Sequence, residues 1–332
     1  MTCITVEGAG AVGARVARQL ASSPQVDEVV VVDIDLERAR AVVASIADPA
    51  VVRLGDLADA GAGSDVLVVA VAPGAHRDCA ERGLERGAAI VSTSDGEEDV
   101  RGLLGLDAEA RERGLTVVVG AGFAPGLTDV LAAHAAARFD TVDEIHVASV
   151  GTGGPSCARQ HHRALAGEAL DWRDGAWLRR RAGSGRELCW FPDPVGPEDC
   201  YRATIPDALL LVPVFPGVQR VTARMAANRR DRLTARLPML RPPHAEGGIG
   251  AVRVEVRGRR GPVRDVAVLG AMDRPAVAAG AVAAVAAAWV GEGRLQGPGV
   301  VGLASLSEPG PFLAELARRG VKAATFEGTT AD

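Results

Sequence analysis

Residues 1–122 alternate short apolar runs with segments whose apolar residues recur at helical spacing. The apolar runs predict strands at 2–7, 28–33, 50–54, 65–72, 88–93 and 115–120, and the other segments predict helices at 11–22, 35–46, 75–87, 97–113 and 125–138. Strand runs such as Val66–Ala72 are continuously apolar, which is typical of strands covered on both faces. The alternation therefore predicts an α/β fold with a doubly wound parallel sheet of the Rossmann type.

A glycine-rich turn joins the first predicted strand to the first predicted helix, with the spacing G-x-G-x-x-G. The candidate phosphate-binding residues in it are Gly8, Gly10, Ala11, Val12 and Gly13. The first glycine permits a tight turn, the second lets a pyrophosphate approach the backbone, and the third lets the helix pack on the strand. Asp33 lies 20 residues beyond Gly13, where a carboxylate accepts hydrogen bonds from the adenosine ribose. This stretch predicts a bound dinucleotide.

Ligands of such sheets lie beyond the carboxyl ends of the strands. Five further residues that follow later strands are therefore candidates for cofactor contact: Asp56, Ala72, Pro73, His76 and Ser94. Asp56 is placed to meet the adenine amino group, and small residues at 70–74 let the nicotinamide ribose lie against the backbone. Ordinary loop chemistry is an equally good interpretation of each single residue.

The pattern changes near residue 140, where short strands mix with arginine-rich loops. Ala251–Arg257 alternates apolar and charged residues, and Val263–Leu269 follows across a Gly-Pro turn, so the pair predicts a β-hairpin. After Pro275 the chain is helical, small and apolar, which favours a return to the first domain. We expect a dinucleotide-binding domain of residues 1–138 and 273–332, and an α+β domain of residues 139–272 for substrate binding and dimerisation.

The bulk composition narrows the classes of partner. The net charge of −5 and the pI near 5.8 argue against nucleic acid, and the longest apolar run, Ala276–Val290, is too short for a membrane span. Five scattered cysteines without C-x-x-C spacing indicate a reducing cytoplasm and give no zinc signature. The chain opens directly on a strand pattern, so we expect no signal peptide, a cytoplasmic protein and no bound metal.

The densest polar cluster of the second domain is Ser156–Arg163, after a Gly-Pro turn. Arg159 or Arg163 is suited to a planar two-bond pairing with a carboxylate. His161 or His162 is suited to pass a proton near neutral pH. A helix start with solvated arginines is the alternative, and Cys157 is better explained as a small apolar filler than as a reactive thiol.

Six segments resemble the saccharopine dehydrogenase-like oxidoreductases. They are GAGAVG at 8–13, DIDLERA at 33–39, DVLVVAVAPGAH at 65–76, LDAEARERGLTVVVGAGFAPGLTDVLA at 106–132, MDRPAVAAGAVAAVA at 272–286 and EPGPFLAELARRGV at 308–321. The resemblance implies a Rossmann domain that binds NAD or NADP, a second domain that holds the substrate and builds a dimer, and exchange between an amine and an imine. It also implies that Gly122 lies where nicotinamide and substrate meet, and that Asp107 reaches the substrate, although Asp107 is equally well suited to cap the helix that follows it.

Together these features predict an NAD(P)-dependent oxidoreductase that acts on a C–N bond of a small amino-acid-like substrate. The candidate catalytic residues are Arg159, His161, His162 and Asp107. Asp33 favours NAD because its charge repels the NADP 2′-phosphate, whereas Arg38 and Arg40 leave NADP open. A carbonyl reductase and a catalytically inactive dinucleotide-binding protein are the alternatives. We expect a homodimer.

Overall fold

The computed structural model of the chain describes residues 2–46, 48, 50–239, 242–295 and 297–326. The strands are β1 (Cys3–Glu7), β2 (Glu28–Val32), β3 (Val52–Leu54), β4 (Val66–Val69), β5 (Ala89–Ser92), β6 (Thr116–Val119), β7 (Thr141–Val150), β8 (Glu168–Arg173), β9 (Ala176–Arg181), β10 (Glu187–Trp190), β11 (Pro197–Arg202), β12 (Arg220–Ala226), β13 (Gly250–Arg260), β14 (Val263–Asp273), β15 (Gly299–Gly302) and β16 (Lys322–Phe326). The helices are α1 (Ala11–Ala21), α2 (Leu36–Ala44), α3 (His76–Glu85), α4 (Glu97–Leu104), α5 (Asp107–Glu112), α6 (Leu127–Ala136), α7 (Pro155–Ala164), α8 (Asp207–Leu211), α9 (Arg229–Thr234), α10 (Pro275–Gly291) and α11 (Pro309–Arg318).

Seven parallel strands form the first sheet, in the order β15-β6-β5-β4-β1-β2-β3. Both faces are covered, because Val68 packs in the cluster of α1 and α10 while Leu67 packs in the cluster of α3 and α4. The predicted doubly wound α/β class is confirmed. The single helix predicted at 97–113 is wrong: Gly105, a poor helix former, ends α4, and α5 starts two residues later.

The second sheet has the order β10-β11-β12-β7-β13-β14-β16, and the hairpin β8–β9 pairs with β12. It is mixed, because β7 runs parallel to β12 and antiparallel to β13. The predicted hairpin is confirmed as β13–β14, with Val254 opposite Leu269 and the turn at Gly261. Val252, Val254 and Val256 are buried in the core, as their alternation predicts.

The end of the chain divides between the two sheets. Helix α10 packs on α1, and β15 extends the first sheet beside β6, as expected for a returning segment. Strand β16 instead pairs with β14 in the second sheet, so the assignment of 273–332 wholly to the first domain is wrong. The pairing gives β14 backbone partners along an edge that it would otherwise leave open. No helix within the described ranges is long and apolar enough to cross a membrane.

Candidate active site

A cavity of about 1240 Å³ lies at the carboxyl ends of β1, β2, β4 and β5. The first turns of α1, α7 and α10 border it, so both domains contribute to its walls. Helix N-termini carry free N–H groups and partial positive charge, which favours anionic ligands. The cavity is thus placed where a parallel sheet binds its ligands.

The glycine turn forms the floor of one end. Gly8 has φ of +105°, and its N–H donates to the carbonyl of Val32 at 2.8 Å. A Cβ on Gly13 would lie 1.7 Å from the Gly8 oxygen, whereas a Cβ on Gly10 would meet no atom within 4 Å. Gly13 therefore closes the turn from behind, and Gly8, Gly10, Ala11 and Val12 line an open cradle that fits a diphosphate.

Asp33 stands at the rim of this cradle, and its side chain is 6% exposed. Its carboxylate accepts N–H bonds from Ala9 at 2.6 Å and from Asp35 at 2.7 Å. These bonds hold the carboxylate toward the cavity, where the glycine spacing and the acid that follows it predict the ribose. Arg38 lies 4.0 Å from the same carboxylate, and the next side chain, Ile34, is 90% exposed.

Ala72, Pro73 and His76, chosen for their positions after strands, line the cavity, and so does Gly122, which the family resemblance placed there. The imidazole of His76 is fixed between the Ser92 hydroxyl at 2.9 Å and the Val71 carbonyl at 3.2 Å. Burial lowers the pKa of His76, so the ring is neutral at physiological pH. It is therefore a wall of the cavity and a poor proton carrier.

Asp56 and Ser94 do not line the cavity. The Asp56 carboxylate accepts the Ala58 N–H at 2.9 Å and caps a short 3₁₀ turn, and the buried Ser94 hydroxyl accepts the Gly96 N–H at 3.3 Å. Local turn bonding engages both side chains, and their predicted contact with the cofactor stays a prediction. Their neighbours Ala58 and Asp95 line the cavity instead.

Asp95, Cys157 and His161 meet at the far end of the cavity. Cys157 and His161 are four residues apart on α7, so they share one face of the helix. The Asp95 carboxylate lies 3.1 Å from His161 Nε2 and 3.2 Å from Cys157 Sγ, and these two atoms are 3.6 Å apart. We call these three residues the acid cluster.

The charges within the acid cluster reinforce one another. Burial alone would raise the pKa of Asp95, but the hydrogen bond and charge of His161 hold it below its usual range. Burial alone would lower the pKa of His161, but the Cys157 sulfur and the Asp95 carboxylate raise it well above the usual value. Burial raises the pKa of the Cys157 thiol. Because burial keeps the thiol neutral, the support for the His161 imidazolium at neutral pH comes from the hydrogen bond and charge of Asp95, and this pair has a proton to give.

Arg159 also lines the cavity, one turn into α7. It has no ion-pair or hydrogen-bond partner among the described residues, unlike the other arginines that line the cavity. Arg15 and Arg274, for example, both bind Glu246, at 3.2 and 3.3 Å. Arg159 is thus the arginine available to a ligand carboxylate.

Two predicted catalytic residues lie outside the cavity. Asp107 accepts the Val300 N–H at 2.8 Å and pairs with Arg111 at 2.8 Å, which fastens α5 to β15. His162 is buried, and its Nε2 lies 2.9 Å from the Thr234 carbonyl. Adjacent helical residues point about 100° apart, so His161 and His162 cannot share one site. The proposed role of each in catalysis is withdrawn.

The rule that ligands lie beyond strand ends placed the segment 92–95, at the end of β5, near the cofactor, but Ser94 was chosen from it as the candidate and Asp95 was not. Cys157 was undervalued as a small apolar filler. The contact of Asp95 with α7 forms only in the folded chain, so no fixed spacing in the sequence indicates it. The three ligand atoms lie within 4.8 Å of one another, which is also the spacing of a three-ligand metal site that the sequence did not predict.

Two more buried acids lie behind the loop that carries Gly122. The Thr128 hydroxyl donates to Asp207 at 2.9 Å, and Asp129 follows in the same turn of α6. Burial raises the pKa of Asp207 to about 6, and burial together with the charge of Asp207 raises that of Asp129 well above its usual value. At neutral pH this pair therefore holds at least one proton without opening to the cavity.

Comparison with known proteins agrees with the geometry of the first sheet. The model of an oxidoreductase family with an NAD-binding Rossmann fold (GFO/IDH/MocA) matches residues 3–93. This stretch holds β1 to β5, the glycine turn and Asp33. The first domain is therefore a nicotinamide-dinucleotide-binding domain of the oxidoreductase type.

Three solved structures extend the likeness to the whole chain. Apo saccharopine dehydrogenase (L-Glu forming) from Saccharomyces cerevisiae has a TM-score of 0.71 at 16% identity, and the match covers 98% of this chain and 100% of that chain. DAP dehydrogenase of C. glutamicum in complex with DAP has a TM-score of 0.52 at 15% identity, with 96% and 99% covered. Amine dehydrogenase from Mycobacterium smegmatis has 0.52 at 14% identity, with 92% and 96% covered. The predicted resemblance is confirmed as a shared fold.

Proposed function

We propose that the protein is an NAD(P)-dependent oxidoreductase that interconverts an amine and an imine on an amino-acid-like substrate. One observation carries the proposal: a single cavity joins the glycine turn and Asp33 to the acid cluster. The first end suits a dinucleotide, and the second end holds a proton donor. Reduction of an imine needs both, since carbon takes a hydride and nitrogen takes a proton.

The chain's own residues supply orientation and the proton. When bound, the nicotinamide would deliver or accept the hydride. Before reduction, the single Nε2 proton of His161 lies in the hydrogen bond to Asp95, which stabilises the imidazolium. In reduction, the substrate nitrogen replaces the Asp95 carboxylate as the acceptor of that proton, and His161 is left neutral. In oxidation, neutral His161 takes a proton from the amine nitrogen as the hydride leaves carbon. The Cys157 thiol keeps the shared carboxylate oriented toward Nε2.

Arg159 supports a substrate with a carboxylate, because it is exposed in the cavity and lacks a partner among the described residues. A guanidinium binds a carboxylate through two parallel hydrogen bonds. Two of the similar structures, saccharopine dehydrogenase and DAP dehydrogenase, bear amino-acid substrates in their names. The substrate proposed here is therefore an amino acid or its imine.

NAD is the proposed cofactor. Asp33 is held in place by two N–H bonds, and its charge disfavours a 2′-phosphate. Arg38 is engaged by Asp35 at 3.1 Å, and Arg40 pairs with Glu37 outside the cavity.

A second copy of the chain is the proposed partner, since Leu188 and Trp190 are 57% and 59% exposed on the edge strand β10. Light scattering after size exclusion measures that state.

A coupled assay tests the reaction. Consumption of NADH and of NADPH is followed with keto acids in the presence and absence of ammonia or a primary amine. The proposal expects turnover only when the nitrogen donor is present, and faster turnover with NADH. Turnover with the carbonyl compound alone would establish a carbonyl reductase instead. Cofactor binding without turnover on any substrate would indicate a non-catalytic protein.

A further inference from the structure

A buried ion pair lies at the adenosine end of the cavity and has no part in the proposed chemistry. Glu7 ends β1 with a side chain that is 4% exposed, and Arg82 on α3 is 34% exposed. Arg82 Nη2 donates to Glu7 Oε1 at 2.6 Å, and the Cys79 thiol donates to the same oxygen at 3.3 Å. Both charged residues line the cavity. Because burying a charge costs free energy, a buried ion pair need not stabilise the fold. A role of this pair in binding would explain its position in the cavity.

Glu7 and Arg82 form only one of the two hydrogen bonds that their side chains could share. Glu7 Oε2 and Arg82 Nε are both buried, and neither has a hydrogen-bond partner among the described residues. An arginine and a carboxylate can make two parallel bonds, but this pair makes one. The guanidinium is therefore held at one corner and retains freedom to turn about it.

Apolar side chains line the cavity together with Arg82. Ile34 projects with 90% of its surface exposed beside Asp33, which marks the ribose. Leu57 and Ala58 line the cavity as well, and the carbonyl of Ala58 accepts from Arg86, which directly follows the helix of Arg82. A planar cation together with apolar side chains suits a nucleobase, because guanidinium groups stack on aromatic faces.

We propose that Arg82 stacks on the adenine of the dinucleotide and that Glu7 is a positioning residue that sets the plane of the guanidinium. This inference rests on the proposed function, because it needs a dinucleotide in the cavity. Binding turns the guanidinium onto the base, and Nε then meets the free oxygen of Glu7. Neither residue takes part in the hydride or proton transfer.

Calorimetry with two ligands tests the proposal, since NADH carries the adenine and reduced nicotinamide mononucleotide lacks it. Arg82→Ala is expected to weaken NADH binding about 3- to 30-fold, the range of a cation–π contact, and to leave mononucleotide binding unchanged. Arg77→Ala is the matched control, because Arg77 lies on the same helix, pairs with Glu81 and does not line the cavity. Glu7→Gln should weaken NADH binding less than Arg82→Ala does, and should add nothing to it in the double variant.

Equal NADH affinity in Arg82→Ala and Arg77→Ala would overturn the inference and leave the proposed function intact. An equal loss for both ligands in Arg82→Ala would overturn it as well, because a general disturbance of the site does not discriminate adenine. Failure of the unsubstituted protein to bind NADH or NADPH would instead refute the proposed function. If Glu7→Gln does not fold, the comparison of Arg82 with Arg77 still decides.

Discussion

The two ends of the cavity are built on different principles. The diphosphate and ribose end uses backbone N–H groups and one carboxylate, all within residues 8–33. The acid cluster uses three side chains, with Asp95 and Cys157 62 residues apart, and it exists only where α7 docks beside the first sheet. Backbone recognition imposes a spacing on the sequence, whereas a side-chain cluster does not. The comparison predicts that cofactor affinity and catalysis can be damaged separately.

The largest effect is expected at His161. His161→Gln removes the proton donor and should lower kcat for imine reduction about 10²- to 10⁴-fold, with NADH affinity unchanged. Steady-state kinetics and NADH titration measure the two quantities. His162→Gln is the control, because the neighbouring ring bonds Thr234 outside the cavity. If both variants lose the same activity, the acid cluster is not the catalytic end.

At Asp33 we expect the opposite result, a loss of cofactor affinity. Asp33→Ala removes charged hydrogen bonds to the ribose and should weaken NADH binding about 10- to 100-fold, with a smaller loss or a gain for NADPH. Asp35→Ala removes the N-cap of α2 at a residue outside the cavity. It should lower the free energy of unfolding by about 1 kcal/mol and change NADH affinity little. Fluorescence titration with both cofactors decides. Unaltered NADH affinity in Asp33→Ala would contradict the account of this end.

A smaller loss is expected at Arg159. Arg159→Ala should lower kcat/KM for a carboxylate-bearing substrate about 10-fold, because one charge-assisted pairing is lost at a partly open site. The affinity for NADH should stay the same. Arg163→Ala is the matched control, since Arg163 is exposed on the same helix but does not line the cavity. A substrate amide that lacks the carboxylate should show no difference between the two variants, and a difference there would argue against the pairing.

The smallest change is a shift in pH dependence. Because the pKa of His161 is raised, imine reduction should persist above the usual histidine range and decline as pH rises through the raised value. Asp95→Asn removes part of that support and should move the decline to lower pH. The raised pKa of His161 also stabilises the fold, fully below the usual histidine value and to a declining extent up to the raised value, and the lowered pKa of Asp95 stabilises it above the usual carboxyl value. The loss of thermal stability in Asp95→Asn should therefore be largest between the usual carboxyl and histidine pKa values, and smaller in strong acid and in alkali.

The features that the sequence predicted and those that it did not differ in the same way as the two ends of the cavity. The continuous apolar runs and the glycine spacing predicted six strands of the first sheet and most of the phosphate cradle, because both depend on local periodicity. Strand β15 and strand β16 were not predicted, since each joins a sheet through partners far away in the chain. Four residues of the polar segment 156–163 line the cavity, and the role of the segment in chemistry stays a prediction. Its contact with Asp95 was not predicted, because no spacing connects a loop after β5 to a helix of the second domain.

The predicted role of Asp107 shows the opposite error. An acid at a helix start has several uses, and here the carboxylate bonds the Val300 N–H across two elements of the first domain. A resemblance between sequences does not reveal that contact. Hydrogen-bond partners in the folded chain distinguish a structural acid from a catalytic one.

A crystal structure with NADH and a substrate imine or its amine would show both ends of the cavity occupied at once. We expect the diphosphate at the glycine turn, the ribose at Asp33, and the substrate nitrogen within hydrogen-bond distance of His161 Nε2. The reacting carbon should lie within about 4 Å of nicotinamide C4. A dinucleotide bound elsewhere, or a nicotinamide ring turned away from the acid cluster, would contradict this expectation.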